Sequence, residues 1–249
     1  MEDILQEMLE NDLSYSVSSD CVVIRPRSII SKLDGKLSKQ DLDKTEALMN
    51  KQIQHSSIIY KLNTCCFGIN CANANKCTLR SLPSGNIDAD IMFVGKTPTE
   101  YETCIGAFTD VNGAFLSLIL DKLNIPRGNV YMTDFIKCCT NNLDEESYNS
   151  CINTYFAKEV DIIKPKLIVC LGLPLLKTFV RANIFNGLSE TVAYGNIYNA
   201  STKSGNPVKI MSIYDLDKVL QKTGEDYEKC KTELWGQLLT GLKSIQGGT

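Results

Sequence analysis

The chain is poor in several things that would have narrowed its role at once. It has a single histidine, His55, and a single tryptophan among 249 residues. No apolar run is long enough to span a bilayer, so a membrane protein is not expected. The opening segment, MEDILQEMLEND, is acidic and amphipathic and lacks the basic start and apolar stretch of a secretory signal. An intracellular protein, cytoplasmic or nuclear, is therefore expected. Positive charge is not in excess: the net charge of −3 argues against a large nucleic-acid footprint and leaves room for a local basic patch. Internal repeats and low-complexity tracts are absent as well. Hydrophobic content of 43% and charged content of 22% are those of an ordinary globular chain, and the length suits one large domain or a domain with an appendage.

Cysteine is what the chain has in abundance, with eleven. In a reducing compartment these need another explanation than disulfides. Cys21, Cys104, Cys170 and Cys230 are scattered and read as core thiols, Cys170 most clearly because it lies inside the apolar run LIVCLG. The other seven fall in two clusters: Cys65, Cys66, Cys71 and Cys77, then Cys138, Cys139 and Cys151. Such clustering points to metal ligation.

Residues 1–60 read as an N-terminal extension, with a helix at 2–10, a short strand in CVVIRPRS, and a polar helix at about 39–55 for which Ser38 is the expected N-cap. From residue 88 the pattern becomes strand–helix alternation. DIMFVG (90–95), VYMTD (130–134), KLIVCLG (166–172) and VKIMSI (208–213) read as buried strands. Helical periodicity separates them at 113–123, 147–163 and 174–182, with a last helix at about 226–244. The expected fold is α/β: three αβα layers around a central parallel four-stranded sheet, at residues 61–249, plus the N-terminal helical extension. Ligands bind beyond the carboxyl ends of such strands, which puts GKTPTEYET and DFIKCC at the functional edge.

Three stretches carry a resemblance. IDADIMFVGKTPTEYE is similar to the motif DADxMFVGEAPGxxED; GAFTDVNGAFLSLILDKLNIPRGNVYMTDFIKCC is similar to PFVGxAGxLL…GI…VYxTNxxKC; CINTYFAKEVDIIKPKLIVCLG is similar to Cys…LxxELxxIxPKxIVxLG. With these motifs in order over about 65–220, the chain resembles the family 4, iron–sulfur uracil-DNA glycosylases. The resemblance implies a 4Fe–4S cluster held by four cysteines. Cys138 and Cys151 match two of them; Cys71 and Cys77, with five residues between them, are the expected first pair, and Cys65 or Cys66 with Cys71 is the alternative. Cys139 is then a neighbour. Four thiolates also suit zinc, and spacing alone does not separate the two.

The active-site positions depart from the family pattern. Phe108 matches the phenylalanine that stacks on the base; a core aromatic is the competing reading. Asp134 stands where the family has the asparagine that reads uracil. An amide donates to O4 and accepts from N3–H, whereas an ionised carboxylate only accepts. Ionised Asp134 thus opposes O4; it suits the amino group of cytosine, whose N3 is then a poor neighbour unless protonated. Lys96 replaces the glutamate of GEAPG and is expected to meet phosphate. Glu102 is the carboxylate retained in that motif and the one catalytic candidate, with a solvated surface residue as the competing reading. The family's C-terminal histidine is missing from MSIYDLDKVL, where Tyr214 is the available donor, and His55 is expected at the surface. Loss of several charge-stabilising groups points to a catalytically diverged member acting as a DNA-binding or interaction module, with a protein partner for the extension. The alternatives are an active glycosylase for uracil or a modified pyrimidine, and a cluster protein without a nucleic-acid role.

Overall fold

The computed structural model describes residues 13–18, 21–26, 38–63, 80–139, 149 and 151–246; for 13–18, 21–26 and 42 it describes the backbone alone. Two compact units divide the chain, Met1–Tyr60 and Lys61–Thr249. In the first, β1 (Leu13–Ser18) pairs antiparallel with β2 (Cys21–Pro26), Ser18 facing Cys21. The strand expected at CVVIRPRS is β2, and β1 is its unforeseen partner. Helix α1 (Lys39–Asn63) starts where Ser38 predicts: the Ser38 hydroxyl accepts the Asp41 N–H at 3.2 Å and donates to the Asp41 carboxylate at 2.6 Å. It continues past the expected end near 55. The helix expected at 2–10 lies outside the described residues.

The second unit runs β3 (Ser84–Gly85), β4 (Ile91–Gly95), α2 (Glu100–Ile105), α3 (Val111–Lys122), β5 (Tyr131–Asp134), a π-helical turn at Ile152–Phe156 leading into α4 (Ala157–Ile163), β6 (Leu167–Leu171), α5 (Leu173–Arg181), β7 (Ile197–Ser201), β8 (Pro207–Ile213), α6 (Leu216–Leu220) and α7 (Gly224–Gln246). The sheet order is β3-β5-β4-β6-β8-β7. The four expected strands form its parallel centre, but the sheet has six strands, not four: β3 and β7 add antiparallel edges. The physical reason is plain in their composition. β3 is two residues long, and β7 (IYNAS) is half-buried and polar, so neither carries the apolar run by which a buried parallel strand announces itself.

Side chains alternate across the sheet. Ile91, Phe93, Met132, Val169 and Met211 join Leu116, Leu120, Leu234 and Leu238 in one core layer beneath α3, α6 and α7. On the other face Phe156 and Phe179 pack at 5.3 Å between centroids, with Phe135 against both at 5.0 and 5.2 Å. Helices on both faces leave the carboxyl ends of β4, β5, β6 and β8 along one edge.

Candidate active site

At that edge Gly95 and Asp134, the last residues of β4 and β5, are register partners. A side chain at Gly95 has no room. Its Cβ would lie 2.5 Å from Asp134 Oδ1 and 3.3 Å from Phe108 Cζ. The structure thus brings two predicted base-binding residues, Phe108 and Asp134, together over the one backbone position that can admit both.

Phe108 is held in an unusual way. Its φ of +60° is left-handed, a conformation that aromatic residues rarely adopt and that costs about 1–3 kcal/mol. Its N–H donates to Glu102 Oε1 at 2.8 Å, and its carbonyl accepts from Arg127 Nη2 at 2.5 Å. Gly113 lies below; a Cβ there would meet the Phe108 carbonyl at 1.8 Å. The same loop is tied down by Ala107 N–H to the Leu82 carbonyl and by Asp110, which caps α3 through the Gly113 N–H.

Glu102 is not the solvated surface residue that was the competing expectation. It is buried at 6% exposure, because its carboxylate is drawn inward by backbone donors. Oε2 accepts from the Thr99 N–H at 2.8 Å and hydroxyl at 3.0 Å, completing a capping box on α2, while Oε1 takes Phe108. This geometry makes Glu102 a scaffold that ties the Phe108 backbone to the start of α2. The signal was present in the sequence as Thr99-x-x-Glu102.

Asp134 is buried at 3% exposure, and its Oδ2 accepts from the Ser81 hydroxyl at 2.8 Å. Desolvation, reinforced by the Glu102 charge and opposed by Ser81 and Lys137, pushes its carboxyl up to about 7. On the opposite face of β5, Thr133, Lys137 and Glu159 form a buried network. Lys137 Nζ donates to Glu159 Oε2 at 2.7 Å and to Thr133 Oγ1 at 2.5 Å; Thr133 donates to Glu159 at 2.9 Å. Burial raises the Glu159 carboxyl above its usual range, with Lys137 opposing it. Ser81, Arg127, Lys137 and Glu159 were not singled out from the sequence. Ser81 lies 53 positions from its partner and has no local signal, whereas Lys137 sits inside the matched Lys-Cys element.

Among the described residues, neither Lys96 nor Tyr214 makes a hydrogen bond to this floor. Lys96 is exposed at the end of β4. Tyr214, at the end of β8, turns to α7: its hydroxyl donates to Glu233 at 2.5 Å, which raises its pKa to about 12. Its ring meets Tyr194 edge-on at 4.7 Å. His55 is half-buried on α1 rather than at the surface, and belongs to the first unit.

Of the expected cluster ligands, Cys138 and Cys151 are described, each 8% exposed. Cys138 follows β5, and Cys151 opens the π-helical turn. Two sheltered thiols on separate segments fit a thiolate-bound centre, and π-turns recur at functional sites. Cys71 and Cys77, with Cys65 and Cys66, lie outside the described residues. Cys139 is exposed. Of the expected core cysteines, Cys170 is fully buried and its thiol pKa is raised well above normal by burial. Cys230 is half-buried, and Cys104, the penultimate residue of the short helix α2, is exposed.

Residues 82–239 match the Uracil DNA glycosylase superfamily. The chain is 32% identical over 152 residues to the type-4 uracil-DNA glycosylase of Archaeoglobus fulgidus, a span covering 58% of this chain and 74% of that protein. It is 40% identical over 88 residues to the type-4 uracil-DNA glycosylase of Sulfurisphaera tokodaii, covering 34% and 40% respectively. It is 35% identical over 92 residues to that of Saccharolobus solfataricus, covering 35% and 43%. Against the latter two, this chain spans less than half of their length. A parallel sheet with an aromatic ring and an acid at its carboxyl edge, and a match over most of that unit, lead to one assignment: the chain belongs to the uracil DNA glycosylase superfamily.

Proposed function

We propose that this protein is a DNA glycosylase that hydrolyses the N-glycosidic bond of uracil in DNA. The reading of a catalytically diverged module finds no support among the relatives, each of which is named a uracil-DNA glycosylase. The single observation that carries the proposal is the buried Asp134 over Gly95. A carboxyl held at about 7 is largely neutral at mildly acidic pH and about half neutral at pH 7. A neutral carboxylic acid has one O–H donor and a carbonyl acceptor, the pattern of an asparagine amide. It can donate to uracil O4 while its other oxygen, already accepting from Ser81, accepts N3–H. The objection to aspartate at this position applies only to the ionised form.

The base must leave the helix to reach such a site. Phe108 offers its ring for stacking, and Lys96, exposed at the rim, meets the phosphate backbone. Cys138 and Cys151, with Cys71 and Cys77 from the segment before β3, would hold the 4Fe–4S cluster. The cluster would serve as a structural tie between that segment and the loop after β5. Residues 61–249 are the glycosylase domain in this reading, and 1–60, outside the matched span, are an extension for a protein partner. Among the described residues no helix is long and apolar enough to cross a membrane.

The test is excision from oligonucleotides carrying uracil, hypoxanthine, mismatched or modified pyrimidines. Uracil release leaving an abasic site is expected, lost in Asp134→Ala. No abasic product from any of them would overturn the proposal. The cluster has its own readout: brown protein with absorption near roughly 400 nm is expected, and colourless protein with stoichiometric zinc would contradict it.

A further inference from the structure

The stacking ring sits on a backbone conformation that its own side chain disfavours. Glycine or asparagine would relax there, but neither supplies a ring. The chain keeps phenylalanine and fixes its peptide from outside. We infer that Glu102 and Arg127 are positioning residues that clamp the two poles of the Phe108 backbone and so set the ring over Gly95. This rests on the reading of Phe108 as the base-stacking residue.

Each jaw of the clamp is itself anchored. Glu102 takes the Phe108 N–H with one oxygen while Thr99 binds the other through its N–H and hydroxyl, which fixes that jaw to the start of α2. Arg127 gives Nη2 to the Phe108 carbonyl and Nη1 to the Gly113 carbonyl at 3.0 Å and the Ser117 hydroxyl at 2.5 Å, which fixes the second jaw to α3. One planar guanidinium thus spans loop and helix with separately directed donors, a task that the single ammonium of lysine does only in part. Both contacts to Phe108 use an ionised group and are of the stronger, charge-assisted kind. Burial lowers the Arg127 pKa, so the guanidinium is partly withdrawn from water. Gly113 completes the seat by leaving space for the carbonyl that Arg127 holds. Ser84 adds a further tie, donating to the Ala107 carbonyl at 3.2 Å. None of these groups needs to touch the base; they act through the ring.

Arg127→Met and Arg127→Lys test the clamp. Three quantities are measured in the full-length protein: single-turnover uracil excision, affinity for the same oligonucleotide carrying a reduced abasic site, and amide hydrogen exchange across 106–110. Arg127→Met should slow excision by about ten- to a hundredfold, the scale of a misplaced positioning group, with abasic-site affinity within roughly twofold of the parent. Exchange at 106–110 should quicken while β4 and β5 stay protected, and Arg127→Lys should recover part of both losses. Excision and DNA affinity falling together, excision unchanged, or unchanged exchange at 106–110 would each overturn the inference. If Arg127→Met does not fold, Arg127→Lys carries the same test with smaller changes in the same direction. If the parent protein excises no base, the proposed function fails, and the clamp stands or falls on the exchange measurement alone.

Discussion

The floor of the site and its rim are built on different terms. On the floor, Phe108, Asp134, Glu102 and Ser81 are buried, and each has a named partner that fixes its orientation. At the rim, Lys96 is exposed, and Tyr214 is engaged with Glu233 on α7 rather than with the floor. Departures from the family pattern differ in the same way. On the floor, the aspartate that stands where the family has asparagine is enclosed by surroundings that raise its carboxyl to about 7. At the rim, lysine in place of glutamate at position 96 reverses the charge, and the stretch around Tyr214 has no histidine. An enclosed position can keep its role after substitution if the environment compensates. Groups at an open edge have no such environment to correct them.

Removing a charge from beneath the floor should have the largest effect. Lys137→Met leaves Glu159 buried without its ion-pair partner and is expected to lower stability by about 3–5 kcal/mol in denaturant unfolding. Adding Glu159→Leu should recover much of that loss, because it removes the stranded charge. Equal instability of the single and double variants would show that the network is not a paired unit. Next in size, Gly95→Ala places a methyl against Asp134 and Phe108 and is expected to reduce uracil excision about a hundredfold, with the melting temperature reporting that the fold persists. Undiminished excision would mean that the base does not bind over Gly95.

Asp134 links stability to pH in a defined direction. Its folded pKa is raised above the unfolded value of 3.8 to about 7, so the folded state holds the proton more tightly. The contribution is fully present below about pH 4 and is lost as pH rises to 7, by up to roughly 4 kcal/mol for a shift of this size. Asp134→Asn should therefore flatten this part of the stability profile, as measured by denaturant unfolding at pH 4.5 and 7.5. The smallest effect is expected at the rim. Lys96→Ala should weaken DNA binding a few-fold at low salt and reduce the salt dependence by about one ion. A large loss of excision at unchanged DNA affinity would instead place Lys96 at the reacting bond.

The contrast between floor and rim also explains what was legible in the sequence. The central strands were visible because parallel strands buried on both faces are unbroken apolar runs, as in Ile91–Gly95 and Leu167–Leu171. Edge strands β3 and β7 had no such run. The motif put Phe108 and Asp134 at one edge, where the structure brings them together, but it did not show their states. A left-handed φ at Phe108 depends on Glu102 and Arg127, six and nineteen residues away. The raised pKa of Asp134 depends on burial and on charges from other segments. Sequence pattern places residues at the edge of a sheet; it does not report the dielectric they will meet there.

The most direct test of the central claim is the pH profile of single-turnover uracil excision for the parent protein and Asp134→Asn. If neutral Asp134 reads the base, parent activity falls as pH rises through about 7, whereas the asparagine variant stays active without that fall. Parent activity that rises through the same interval, or an asparagine variant that loses excision at every pH, would contradict the account.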